Sequence, residues 1–190
     1  MVRDEQPNAK YGQLLDGPVY PQKRWYVLHT KSRQEKALSE TLGAMGVVHF
    51  LPLVTQARYY GRRKLRVELP LFPGYLFLCG ARDEAFAADR TKRVAKVIEV
   101  ADQERLCREL AQIRRVLEGG GTLDPYPFLK KGARVEVKAG PWRGLQGVVE
   151  ERARRNRLVL QVDVLGQAAS MEIDASLLEP VEENTDVVAV

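Results

Sequence analysis

The chain is poor in the residues from which most catalytic and metal centres are built. Its 190 residues include only two cysteines, Cys79 and Cys107, and two histidines, His29 and His49. The cysteines are far apart and form no CxxC pair. They read as thiols of a reducing compartment, not a disulfide framework or half of a zinc site. No P-loop, GxSxG, HExxH or dinucleotide-binding glycine fingerprint occurs, and no carboxylate pair stands out. The expectation is a protein that is not an enzyme and holds neither metal nor cofactor. Long apolar runs are absent too, and none approaches the roughly 20 residues of a membrane helix. The first ten residues are polar, with Pro7 and Asn8, and lack a signal-peptide pattern. A soluble, cytoplasmic, monomeric protein is expected.

What is present is ordinary globular composition, 45% hydrophobic and 29% charged, with charge unevenly placed. Residues 1–118 hold 21 Lys/Arg against 14 Asp/Glu, and residues 119–190 hold 9 against 11. Any contact with nucleic acid is therefore expected in the front part, although a solvated basic face would give the same balance.

Residues 1–23 are polar, with three prolines and two glycines, and read as a mobile tail. Arg24 to His29 is aromatic and branched, a strand. Ser32-Arg33-Gln34-Glu35 has the spacing of a capping box, and Leu38, Leu42 and Met45 follow at helical spacing up to Gly46. Short strands are expected at His49–Leu51 and Val54–Tyr59, with a hairpin tip at Gly61-Arg62-Arg63 and a return strand from Leu65 to Leu69. Pro70-Leu71-Phe72-Pro73-Gly74-Tyr75-Leu76-Phe77 follows. Two prolines three residues apart exclude a regular central strand over the whole run. It reads as a kink at Pro70–Gly74 leading into a buried strand at Tyr75–Leu78, whose aromatics are either core or an exposed aromatic edge. Residues 83–91 look weakly helical, Val97–Val100 reads as a strand, and Asp102 caps a helix with Leu106, Leu110, Ile113 and Leu117 on one face.

Residues 119–128, with three glycines and two prolines, read as a linker. Beyond it, alternating segments at Ala133–Val137, Val148–Val149, Leu158–Val164 and Met171–Ile173 are separated by turn residues, as in a small barrel. Residues 181–190 read as a loose tail. The fold expected is α+β: an N-terminal antiparallel sheet flanked by helices at 24–118, the linker at 119–128, and a small all-β barrel at 129–180.

Two segments carry a resemblance. Trp25-Tyr26-Val27, the helix with Glu35-Lys36, and Pro70 to Tyr75 resemble the N-terminal (NGN) domain of NusG-type transcription elongation factors. Val135 to Glu150, with Gly140-Pro141-Trp142-Arg143-Gly144 at its centre, is similar to a KOW motif, a short SH3-like barrel. The spacing from Trp25 to Phe77, with a short basic hairpin, looks more like RfaH, a specialised paralogue, than like housekeeping NusG.

The resemblance implies a transcription elongation and antitermination factor. Its N-terminal domain would dock on the clamp helices of the RNA polymerase beta-prime subunit, and its KOW domain would recruit termination factor Rho or a small-subunit ribosomal protein. Carried over by residue, Val27, His29, Phe72, Tyr75 and Phe77 fall in the polymerase-facing pocket. Lys31, Arg33 and Lys36 at the first helix, and Arg62, Arg63 and Lys64 at the hairpin tip, would meet the non-template DNA strand or polymerase protein. Trp142 and Leu145 fall on the partner-binding edge of the KOW domain, where an exposed Trp would be a contact and a buried one core. The fold switch of RfaH is not implied here: branched residues at 158–164 and Gly140, Gly144 and Gly147 favour strands, and a barrel held apart on its linker is the simpler expectation. The rival reading is a KOW-type RNA-binding or ribosome-associated protein, using Arg152, Arg154, Arg155 and Arg157 around a turn.

Overall fold

The computed structural model describes residues 23–60, 63–126, 132–152 and 155–181, with the side chains of 58–60, 63–64, 151–152 and 155 left aside. The expected N-terminal tail, all but its last residue, and the C-terminal tail beyond residue 181 lie outside the described residues.

The N-terminal half is built on a four-stranded antiparallel sheet. Strand β1 (Arg24–Thr30) pairs with β5 (Tyr75–Gly80) on one side and β6 (Val94–Glu99) on the other, and β2 (Val48–Phe50) pairs with β5. Four consecutive β1 residues, Trp25 to Leu28, are buried because both faces of the sheet are covered. Tyr26, Leu28, Leu76 and Leu78 point to one face. There they pack with Leu38 and Leu42 of α1 (Glu35–Ala44) and with Ala85 and Ala88 of α2 (Arg82–Arg90). Trp25, Val27, Phe77 and Cys79 point to the other, under Leu106, Leu110, Ile113 and Val116 of α3 (Gln103–Glu118).

Helix α3 begins as expected: the Asp102 side chain accepts from the Arg105 N–H at 2.9 Å. Gln103 then pins it to the sheet. Its Oε1 accepts from the Trp25 N–H at 2.6 Å, and its Nε2 donates to the carbonyls of Trp25 and Val100 at 3.0 and 2.9 Å.

Strands β3 (Leu53–Tyr60) and β4 (Arg63–Pro70) pair along their whole length as a separate ribbon. At roughly 3.3 Å per residue the ribbon is about 25 Å long, and Val54 at its base is buried in the core. Its tip residues Gly61 and Arg62 lie outside the described residues.

The C-terminal half is a six-stranded antiparallel sheet in the order β12-β8-β9-β10-β11-β7. Its strands are β7 (Asp124–Tyr126), β8 (Ala133–Val137), β9 (Gln146–Arg152), β10 (Arg155–Val162), β11 (Gln167–Ile173) and β12 (Leu178–Pro180). The α+β expectation, with a separate all-β sheet region in the second half, is met.

Three readings are corrected. The capping box at Ser32 does not form: Gln34 precedes α1 without a side-chain cap, Arg33 has φ +59°, and Glu35 bonds elsewhere. The stretch expected as linker contains β7, since Pro125 tolerates an edge position that needs no N–H, and Leu123 is buried just before it. Nor does the C-terminal sheet stand apart, because α3 lies against β10 and one apolar core runs through both halves. Among the described residues, no helix is long and apolar enough to cross a membrane.

Candidate functional site

The site is assembled around the turn between β4 and β5. The Leu71 N–H donates to the Pro52 carbonyl at 2.8 Å, and the Tyr75 N–H closes the turn on the Phe72 carbonyl at 3.1 Å. Gly74 takes φ +83°, a region closed to most side chains. Its peptide groups are held from two sides. The Gly74 carbonyl accepts from the Thr30 N–H at 2.8 Å, and the Gly74 N–H donates to Glu35 Oε1 at 2.7 Å. Glu35 thus spends its carboxylate on a turn 39 residues away instead of on its own helix start.

Phe72 anchors this turn from inside. It is 1% exposed and meets Phe77 edge-to-face, with ring centroids 6.2 Å apart and planes at 87°. Phe77 in turn approaches Phe50 at 6.4 Å. Val27 and Phe77 are wholly buried beneath α3. These three therefore support the site from beneath and do not line it, a correction to their expected place in a surface pocket. The physical reason is that α3 covers the row Phe77–Val27–Ile98 of the sheet.

The next row is open. Tyr75, His29 and Lys96 are aligned across β5, β1 and β6 by the strand register. The His29 and Tyr75 rings stack at 5.1 Å with 25° between planes. His29 is exposed, Tyr75 half-buried and Lys96 exposed. A Cβ at Gly74 would lie 3.6 Å from the His29 ring, an ordinary contact distance, so it is the positive φ and not crowding by the ring that calls for glycine there. A stacked aromatic pair at the edge of a rigid sheet, flanked by a cation, can take an apolar ridge of a partner protein.

Lys31, Arg33 and Lys36 are exposed around the start of α1. The Lys31 N–H donates to the Arg93 carbonyl at 2.8 Å, and the Arg93 guanidinium donates to Gln34 Oε1, so the α2–β6 connection is tied to this border. Lys96 escaped sequence reasoning: only the β1–β6 register reveals it beside His29. Of the hairpin cations, Arg62 lies outside the described residues, and Arg63 and Lys64 are placed by backbone alone, opposite Tyr60 and Tyr59.

In the C-terminal sheet Leu145 is 1% exposed and Trp142 half-buried, both turned toward α3. Leu145 is therefore core in this arrangement, a correction to its expected place on an open edge. Arg154 lies outside the described residues. The Arg157 guanidinium donates to Ser170 Oγ at 3.0 Å and lies 5.7 Å over the Tyr126 ring, a structural role.

The family model described as NusG, transcription termination factor nusG, matches residues 23–127, the sheet, its three helices and the ribbon. The chain belongs to the NusG family. It is similar to the transcription termination/antitermination protein NusG of Pseudomonas aeruginosa, with 26% identity over 175 residues, 84% of this chain and 99% of that protein. The protein of the same name in Escherichia coli K12 is 24% identical over 182 residues, covering 84% of this chain and 97% of the relative. That of Rickettsia typhi is 23% identical over 173 residues, covering 80% and 87%. The open Tyr75–His29–Lys96 row, the Glu35-held turn and the ribbon all fall inside the NusG-family segment.

Proposed function

We propose that this chain is a transcription termination/antitermination factor whose N-terminal domain docks on the clamp helices of the RNA polymerase beta-prime subunit. The observation that carries this reading is the stacked His29–Tyr75 pair, left open at one corner of a sheet otherwise covered on both faces. A coiled-coil tip offers apolar ridges, and rigid aromatics are favoured anchors for them. Lys31, Arg33 and Lys36, joined by Lys96, give the site a basic border that could neutralise phosphates of the non-template strand. The second domain, with its KOW-like motif, would recruit Rho or a small-subunit ribosomal protein. The rival RNA-binding reading draws no support from charge, since residues 119–190 hold 9 Lys/Arg against 11 Asp/Glu.

The test is binding of the full chain to a purified clamp-helix hairpin. Micromolar or tighter binding, about −8 kcal/mol, is expected for the parent, with clear loss in Tyr75→Ala and His29→Ala. If both variants bind like the parent, these aromatics are not the contact. If the parent does not bind and instead retains RNA in a salt-dependent manner, the polymerase reading is wrong.

A further inference from the structure

We infer that Cys107 and Cys79 form a peroxide-responsive thiol pair, in which Cys107 is oxidised first and Cys79 then closes an intrachain disulfide that staples α3 to β5. The inference concerns a modification of the N-terminal half and does not rest on the polymerase reading.

The fold gathers two thiols that lie far apart in the sequence. Cys79 on β5 stands opposite Trp25 on β1, and both side chains point toward α3. Gln103, the first residue of α3, is bonded to the Trp25 N–H and carbonyl. Cys107 lies about one helical turn further on. From there the helix runs toward β2. Leu117 near its end lines one crevice with Phe50, whose strand flanks β5 on the side away from β1. A helix anchored over β1 and ending beside β2 crosses β5 between them, and Cys107 falls at the start of that crossing. Cys79 accordingly belongs to the core beneath α3, and Cys107 packs against the same core. The thiols also lie within reach of each other's charge. Burial pushes the Cys79 thiol up to about 11; Lys23 draws it down, and Cys107 and Glu84 add to the rise.

Access sets the roles of the two thiols. Cys79 is 4% exposed and holds its proton, so it does not meet a solution oxidant itself. Cys107 is half-buried and within reach of one. Its sulfur attacks hydrogen peroxide: an S–O bond forms, the O–O bond breaks, one water leaves, and Cys107 becomes a sulfenic acid. The Cys79 sulfur then attacks the Cys107 sulfur. The S–S bond forms, the S–O bond breaks, and the hydroxyl departs with the Cys79 proton as a second water. The two thiols have together lost two electrons, and one peroxide has become two waters. A dithiol reductant reverses the bond by exchange. In a reducing compartment a disulfide of this transient kind is the usual one. It closes the loop from Gly80 to Leu106, which holds α2 and β6, and a closed loop of that length restricts the unfolded chain.

The test treats the dilute full chain with hydrogen peroxide and needs no partner. After unfolding in urea, titratable thiols should fall from two per chain to none. An unreduced digest should contain one peptide pair joined through Cys79 and Cys107, the urea midpoint should rise, and dithiothreitol should restore both thiols and the original midpoint. Cys79→Ala should stop at the sulfenic acid, which dimedone traps on Cys107, whereas Cys107→Ala should leave Cys79 an unmodified thiol. The pair is refuted if both thiols survive the peroxide, if Cys107 runs on to sulfinic acid while Cys79 stays reduced, or if disulfides join only separate chains. A dimedone adduct on Cys79 in Cys107→Ala, with none on Cys107 in Cys79→Ala, would overturn the order of the two steps.

Discussion

Removing the Glu35 carboxylate should loosen the turn that presents Tyr75, and the size of the effect can be worked out from the structure. Glu35 is 8% exposed, and its Oε1 accepts the Gly74 N–H at 2.7 Å. Glu35→Ala strands that N–H, at a cost of about 1–3 kcal/mol. It also removes a carboxylate from the first turn of α1, where the helix dipole favours it by roughly 0.3–1 kcal/mol. The sum is about 1–4 kcal/mol, a large share of the roughly 5–15 kcal/mol that holds a domain together. Glu35→Gln keeps an oxygen acceptor and loses only the charge, so about 1 kcal/mol is expected, since charge-assisted bonds are roughly twice as strong as neutral ones. Urea unfolding of the full chain should rank parent above Gln above Ala. Binding to the clamp-helix hairpin should weaken in the same order, because the Gly74 carbonyl and N–H are clamped together and Tyr75 follows directly. If Glu35→Ala unfolds within about 0.5 kcal/mol of the parent, as an ordinary surface change would, then the bond to Gly74 does not hold this turn.

Phe72→Ala should cost about 3–5 kcal/mol in urea unfolding because the ring is buried, whereas Tyr75→Ala should cost roughly 0.5–1.5 kcal/mol and act mainly on binding. Burial pushes the Cys79 thiol up to about 11, so iodoacetamide at pH 8 should leave Cys79 unmodified in the folded chain and label it once urea unfolds the sheet. Burial likewise raises Glu109 above its ordinary value of 4.5, so the folded form holds this proton more tightly than the unfolded one. The associated stability is fully present below about pH 4.5 and is lost as pH rises through the raised value. Glu109→Gln, which keeps an acceptor for the Asp163 N–H, should remove that slope in pH-dependent urea titrations without lowering stability at pH 7.

What could be read from the sequence was whatever depends on near neighbours. Asp102 capping α3, the stripe of Leu106, Leu110 and Ile113, and the alternating strands of the second half are local patterns, and each appears in the structure. The destination of Glu35 could not be read. Three residues after a serine it looks like half of a capping box, and only the closing of β1 against β5 brings Gly74 to it. Lys96 gains its place from register, which periodicity within one strand does not fix. The glycines at 119–121 show the limit most clearly. A run of glycines signals flexibility locally, yet a Cβ at Gly119 would meet the ring of Trp142, more than 20 residues on, and one at Gly121 would meet Val116 first and then that ring. Val27, Phe72 and Phe77 were expected in a surface pocket and are buried, because the cover that α3 gives to Val27 and Phe77 comes from far away in sequence.

Helix α3 is held by both sheets, through contacts of different kinds. On the N-terminal side, Leu106, Leu110, Ile113 and Val116 are at most 1% exposed. At about 1.5–3 kcal/mol for each buried side chain, that side is held by roughly 6–12 kcal/mol before entropy. On the C-terminal side four polar contacts, worth about 0.5–1.5 kcal/mol each, add to apolar packing with Leu123, Leu145 and part of the Trp142 ring in the shared core. Gln103 also fastens the start of the helix to Trp25 on β1. Helix α3 is therefore shared between the two halves, with its leucine stripe on the N-terminal sheet and its polar stripe tied to the C-terminal one. The row Tyr75–His29–Lys96 is set by the register of β5, β1 and β6, and none of the four polar contacts of α3 with the C-terminal sheet involves it.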